Sequence, residues 1–279
     1  MPDDRCQLPG AAMVSTHDVR LEDDAVVKQF RSADRGEPER EWRALHALAA
    51  HAPGLAPRPL AYALAPPTVT MSRLPGTELG GAVSADQLTA LGAAIDRLFR
   101  VPLTAIGPAP AGSDLRQSLG RVRGVLPDSV AADSEPAVIQ AHEAATGWLS
   151  GPDADRLPEL DVPPVLARGD YNLANFLWDG EQVRMLDFED SGRGNRATEL
   201  ALLMEHLSVR ETPDLDWLTL VDRFGLTPAE RQLMAGSRRL EAIFWFALLQ
   251  PGGGAARRNP PGTLDRQAER VLALLDSPG

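Results

Sequence analysis

The chain has 279 residues, of which 43% are hydrophobic, 24% charged and 5% aromatic, with a formal net charge of −11. That is enough apolar material for one large core or two lobes, and the acidic balance argues against a nucleic-acid partner, which needs a basic face. No apolar run approaches the roughly eighteen residues of a membrane span, and no charged start leads into an apolar h-region, so a cytoplasmic protein with no membrane partner is expected. The single cysteine, Cys6, excludes an intrachain disulfide and a CxxC metal knuckle.

Taken in chain order, short strands are predicted over 18–21, 25–30, 60–63 and 69–72, with a helix over 38–50 between the second and third. The second strand holds Lys28, the only lysine in the chain, although Lys and Arg together number 28. A composition that uses arginine at every other basic position keeps one ammonium in the middle of an apolar, β-prone run. A compact point charge reaching from a strand suits the α and β phosphates of a nucleotide better than a wide planar guanidinium. On the helix, Pro38 and first-turn acids mark the start, while Trp42, Leu45, Leu48 and Ala49 give the apolar stripe. At about 100° per residue Glu41 falls between Leu45 and Leu48, on the inward face, where a carboxylate needs a cation.

Beyond residue 78 the pattern turns helical. Leu88, Leu91, Ile95 and Leu98 recur at helical spacing, and further helices are predicted over 114–124, 135–149, 198–208, 215–224, 228–249 and 263–275, with a mobile loop over 251–262. A hairpin interrupts them. Phe176 to Trp178 and Val183 to Leu186 flank Asp179-Gly180, a dipeptide that favours a tight antiparallel turn of two or three residues, which sets Asp187 opposite positions 172 to 174. Asn175 and Asp187 then share a rim. The order Asp170, Asn175, Asp187 is what phosphoryl transfer needs: a carboxylate to take or orient a hydroxyl proton, a neutral oxygen for one Mg²⁺, and an anionic oxygen for metal bridging the phosphates. The bland alternative is that these are turn residues around a hairpin, where Asn and Asp are favoured anyway.

Other patterns carry little. Gly192-Arg193-Gly194-Asn195-Arg196-Ala197 fits a loose dinucleotide fingerprint but lacks a βαβ unit, Gly252 to Gly254 lacks the lysine of a P-loop, and the five histidines show no metal-ligand spacing.

With these residues in view, the chain resembles the aminoglycoside phosphotransferase family, bacterial small-molecule kinases with a protein-kinase-like fold. Lys28 and Glu41 match the small-lobe ion pair, Arg168-Gly169-Asp170 with Asn175 matches the catalytic loop, and Leu186-Asp187-Phe188-Glu189 matches the metal-binding segment. The resemblance implies an α+β, two-lobed fold: a small β-rich N-lobe with one helix over 1–71, a hinge over 72–78, and a larger helical C-lobe over 79–279 carrying the catalytic hairpin. It implies ATP as phosphoryl donor, with GTP left open, Mg²⁺ on Asn175 and Asp187, Asp170 as catalytic base, and hinge backbone contacts to adenine at Ser72 and Leu74. The expected acceptor is a small hydroxylated molecule, cationic or neutral, such as an aminoglycoside or other antibiotic, with Glu205, Glu211, Asp214, Asp216, Glu241 and Trp245 as candidates for its site. The alternative is a catalytically impaired, nucleotide-binding or regulatory relative. Three departures stand out: Arg168 in place of the family's histidine, a single glycine in the covering loop Leu8 to Met13, and Glu199-Leu200-Ala201 in place of Asp-Leu-Ala.

Overall fold

The computed structural model describes residues 17–107, 114–210 and 217–277. The covering loop Leu8 to Met13, Cys6, and the candidates Glu211, Asp214 and Asp216 lie outside these residues.

The described residues open with a four-stranded antiparallel sheet in the order β1-β2-β4-β3, built from β1 Asp18–Leu21, β2 Ala25–Gln29, β3 Pro59–Leu64 and β4 Pro67–Ser72. Period-2 patterning makes it half-buried, with Val69 and Met71 of β4 turned inward and their neighbours less so. Helix α1, Glu37–His51, starts after Gly36 with Pro38 in its first turn and buries Glu41, Ala44, Leu45, Ala47 and Leu48. The remainder is mainly helical: α2 Ala85–Phe99, α3 Leu115–Val125, α4 Pro136–Leu149, α5 Pro152–Arg156, α6 Arg196–Glu205, α7 Leu207–Arg210, α8 Trp217–Asp222, α9 Pro228–Leu249 and α10 Thr263–Asp276. Among the described residues no helix is long and apolar enough to cross a membrane.

Five short strands sit between and beside these helices: β5 Thr77–Glu78, β6 Pro164–Ala167, β7 Phe176–Trp178, β8 Val183–Met185 and β9 Gly192–Asn195. The β7–β8 hairpin has Trp178 opposite Val183, and β5 pairs with β7, so the chain leaving β4 joins the hairpin sheet directly. β6 pairs with β9, Ala167 opposite Gly192.

Two large apolar clusters hold the fold, with a small third one around Leu207, Leu249 and Ala255. One runs from the sheet and α1 through α2 to the hairpin and α6, and includes Leu45, Val69, Leu91, Phe176, Phe188 and Leu203. The other is formed by α3, α4, α9 and α10 around Leu119, Ala145, Ile243 and Val271.

The predicted elements match with four differences, one being the five-residue helix α5, which no predicted element covers. The helix expected over 198–208 is two helices, broken at His206, whose ψ of 135 is extended. The segment over 251–262 is folded into successive hydrogen-bonded turns with Ala255 buried, its N–H donating to the Leu248 carbonyl at 3.0 Å. The strands β5, β6 and β9 have no counterpart in the predicted pattern, because runs of two to four residues are too short to show a period and become strands only by pairing.

Leu45 is fully buried in the cluster that joins α1 to the hairpin. Leu45→Ala is expected to lower stability by about 2–5 kcal/mol, read from the denaturation midpoint, with the denaturant slope unchanged.

Candidate active site

The site is assembled around Lys28. In β2 it pairs with Val19 of β1 and Val69 of β4, which puts all three side chains on one face of the sheet. Lys28 is buried, and its Nζ meets Glu41 Oε2 at 2.8 Å, Asp187 Oδ1 at 2.6 Å and Glu189 Oε2 at 2.6 Å. Burial works against the ammonium, but Glu41, Asp187 and Glu189 outweigh it and hold its pKa above the ordinary lysine value. The carboxylates answer differently. Burial raises Glu41, Lys28 draws Asp187 below its usual range in spite of burial, and Glu189 is pushed up to about 7 by burial and by the Asp187 charge.

The hairpin delivers Asp187. Its register continues past the strands: Asp179 N–H donates to the Gln182 carbonyl at 3.3 Å, and Leu186 N–H donates to the Asn175 carbonyl at 2.8 Å. Gly180, at φ 104, and Glu181 form the two-residue loop. Continued past Leu186, this register would set Asp187 opposite position 174, inside the expected interval, and the bond from Leu186 to Asn175 puts Asn175 and the start of the Asp187 segment on one rim. Asp187 has φ 63 and is the only positive-φ non-glycine residue among the described residues, a strained conformation that its Lys28 contact helps to hold. One residue on, Phe188 N–H donates to Glu41 Oε1 at 3.4 Å, so the same helix carboxylate serves both the lysine and the segment carrying Asp187.

Asp170 leaves β6 on a braced loop. Arg168, fully buried, donates from Nε to the Asp170 carbonyl, and its guanidinium carbon lies 4.8 Å from the Phe176 ring centre and 5.3 Å from that of Phe188. Glu199 of α6 accepts the Arg168 and Gly169 N–H groups at 2.6 and 3.2 Å, and the Tyr171 hydroxyl lies beside it. Gly169 has φ 85, and a Cβ there would come within 2.6 Å of the Asp190 carbonyl, so only glycine fits. The Asp170 carboxylate accepts Asn172 N–H on Oδ1 at 2.9 Å and Asn175 Nδ2 on Oδ2 at 2.8 Å, and His206 Nε2 stands 3.8 Å from Oδ1.

The structure thus brings Lys28, Glu41 and Asp187 into one cluster and Asp170 and Asn175 into an adjoining pair. Ser72 and Leu74 line a different cavity, of about 420 Å³, together with Asp24, Arg58, Arg73 and Arg184; the Ser72 N–H is already donated to Arg58 at 2.9 Å. Glu205 is fully buried and held by Arg238 at 2.7 Å and Arg270 at 2.6 Å, so it is not free to grip a cation. Glu241 lines a cavity of about 120 Å³ with Ser118, Arg121, Gly169 and Phe244, and burial with the nearby Glu205 charge pushes its carboxyl up to about 8. The expected roles omitted Glu189, Glu199 and His206. For Glu189 the signal was its place two residues after Asp187 in the quoted segment; for His206 no spacing rule pointed to it.

Glu41, Asp187 and Glu189 each offer a carboxylate oxygen within 4.8 Å of one another. One ammonium against three acids leaves a negative excess, and a set of hard oxygen donors suits Mg²⁺ rather than a soft metal. The residues present therefore fit the expected ion, with Asn175 adding a neutral amide oxygen on the same rim.

Residues 11–235 match the family described as the phosphotransferase enzyme family. No curated protein sequence matches the chain. Among solved structures, a choline/ethanolamine kinase family protein from Mesorhizobium loti is similar at a TM-score of 0.66 and 18% identity, over 95% of this chain and 86% of that one. The choline kinase LicA from Streptococcus pneumoniae is similar at a TM-score of 0.64 and 12% identity, over 95% and 91%. The macrolide 2'-phosphotransferase MphH from Brachybacterium faecium is similar at a TM-score of 0.57 and 18% identity, over 96% and 91%. At these identities the likeness is one of fold: the two-lobed, kinase-like architecture.

The Glu241 carboxyl stays protonated in the folded chain up to about pH 8, against an ordinary value of 4.5 when unfolded. Over that interval the folded state binds the extra proton, so stability falls as pH rises from about 4.5 to 8. Glu241→Gln is expected to remove this slope. Its melting temperature should match the parent near pH 4.5 and exceed it increasingly up to pH 8.5, as thermal unfolding across that range will show.

Proposed function

The chain belongs to the phosphotransferase enzyme family, and we propose that it transfers the γ-phosphoryl group of ATP to a hydroxyl of a small molecule in a Mg²⁺-dependent reaction. The observation that carries this reading is the grip of one buried ammonium by a helix carboxylate and the hairpin carboxylate together, with Asp170 and Asn175 on the adjoining loop.

In this reading Glu41 holds Lys28 in the direction of the phosphates, where its compact charge neutralises the α and β groups. Asn175 and Asp187 would hold Mg²⁺, which when bound spreads the charge of the phosphate oxygens. Glu189 supplies a further anionic oxygen beside Asp187. Val19 and Leu21, both exposed, share the sheet face of Lys28 by register and offer apolar surface to the adenine ring; the proposed polar contacts to its edge are the backbone of Leu74 and, since its N–H is already donated to Arg58, the carbonyl of Ser72. Asp170 takes the proton of the acceptor hydroxyl as the new oxygen–phosphorus bond forms and the bond to the departing ADP oxygen breaks. Asn175 and the Asn172 N–H orient that carboxylate, and Arg168 and Glu199 fix the loop that carries it. Positioning and electrostatics account for the chemistry, so small displacements of Asp170 matter.

The proposed acceptor is hydroxylated, with an aminoglycoside or other antibiotic as the first class to test. The net charge of −11 is comfortable with a cationic amine, and the Glu241 carboxyl, neutral in the free protein below about pH 8, lines a cavity near the Asp170 loop where a bound amine would favour its ionised form. The names of similar structures widen the panel to choline, ethanolamine, macrolides, gentamicin and spectinomycin.

MgATP consumption across that panel tests the reading. Asp170→Asn is expected to lower turnover at least about 100-fold with nucleotide affinity nearly kept, whereas Lys28→Ala should weaken nucleotide binding and turnover together. Undiminished turnover in Asp170→Asn overturns the assignment of the base. Nucleotide binding without turnover on any acceptor favours the non-catalytic alternative.

A further inference from the structure

We infer that His206 is a second holder of the acceptor hydroxyl, presenting a neutral Nε2–H to the oxygen whose proton Asp170 takes; this rests on the reading of Asp170 as the base. The apolar periodicity of α6 continues toward 208, yet the helix stops at Glu205 and His206 adopts an extended backbone before α7 begins. Local propensity gives way most often at functional sites.

The break turns the imidazole toward the Asp170 loop and locks it. Ser208 N–H donates to His206 Nδ1 at 3.2 Å, and Ser208 Oγ lies 2.8 Å from the same nitrogen while itself accepting Leu173 N–H at 3.0 Å. A backbone N–H can only donate, so Nδ1 is the acceptor and, in the neutral ring, the proton sits on Nε2. The ring packs edge-on against Trp245, with centres 5.0 Å apart and planes at 85°. Burial favours the neutral ring, and of the charged groups facing it Asp170 opposes that while Arg168 assists it.

From this position Nε2 is 3.8 Å from Asp170 Oδ1. That gap is too long for a direct hydrogen bond, and it is the span of two atoms sharing one oxygen set off their line, about 2.7–3.0 Å from each. Asp170 Oδ2 accepts from Asn175 and Oδ1 from the Asn172 N–H; each oxygen keeps a second lone pair, and Oδ1 is the one that stands beside His206 Nε2. A hydroxyl seated there gives its proton to Oδ1, accepts Nε2–H on one lone pair and directs the other at the γ-phosphorus. The oxygen–phosphorus bond forms as the bond to ADP breaks, and His206 keeps its own proton throughout.

The competing account is that His206 merely caps α7 through Nδ1. Two substitutions separate the roles, because an asparagine oxygen replaces Nδ1 and a glutamine amide replaces Nε2. His206→Asn should keep the parent melting temperature, raise KM for the best acceptor of the panel and cut kcat/KM about 10- to 100-fold, with nucleotide Kd unchanged. Acceptor-independent MgATP hydrolysis, where water takes the hydroxyl's place, should fall in the same ratio. His206→Gln should recover most of the loss even if it melts earlier. Parent kinetics in His206→Asn, or equal loss in both variants, overturns the inference, as does ¹⁵N NMR showing the Nδ1–H tautomer at pH 7. Asp170→Asn in parallel tells the two claims apart: its full activity removes the base reading, whereas its loss beside an unaffected His206→Asn removes only this one.

Discussion

One ammonium holds this cleft together. Lys28 is drawn from a sheet strand into a space where three carboxylates from α1 and the hairpin segment converge within hydrogen-bond distance. An isolated buried cation, or any one of those acids alone, would be costly; together they meet most of the desolvation penalty that each incurs. Because the partners come from residues 41, 187 and 189, the same contact fixes where the sheet, its helix and the hairpin meet. The shared apolar cluster around Leu45, Phe176 and Phe188 supplies the cohesion, and the charges set the registration.

The second element of order is the loop that carries Asp170, which is held from beneath. Glu199 accepts two consecutive backbone N–H groups, Arg168 ties back to the loop carbonyl, and two phenylalanine rings flank its guanidinium. Phe188 belongs to the segment of Asp187, so the arginine touches both acidic segments of the site at once. The substitution of arginine for histidine, and of glutamate for aspartate in the following helix, are then two halves of one brace.

Much of this was legible in the chain itself. The uniqueness of Lys28, the helical angle of Glu41 and the Asp-Gly turn each carry a local physical signal, and the structure places Lys28 and Glu41 together with Asp187, which that hairpin delivers. What was not legible depends on distant partners. Gly192–Asn195 has no strand propensity and becomes one only because β6 lies beside it. Glu205 reads as a free acid until Arg238 and Arg270 arrive from two later helices. The stop at His206 contradicts an unbroken apolar period, and Glu199 reads as a lengthened aspartate until its two N–H donors are seen.

The solitary lysine has a further meaning for the surface. With the chain's one side-chain amine enclosed, the described exterior meets solvent with guanidinium as its only permanent side-chain cation. Acylating reagents, aldehydes and enzymes that conjugate through lysine find no outlying target there. Any such adduct on a side-chain amine reports on Lys28 alone, so the degree of labelling becomes a direct gauge of how often its three carboxylates let go.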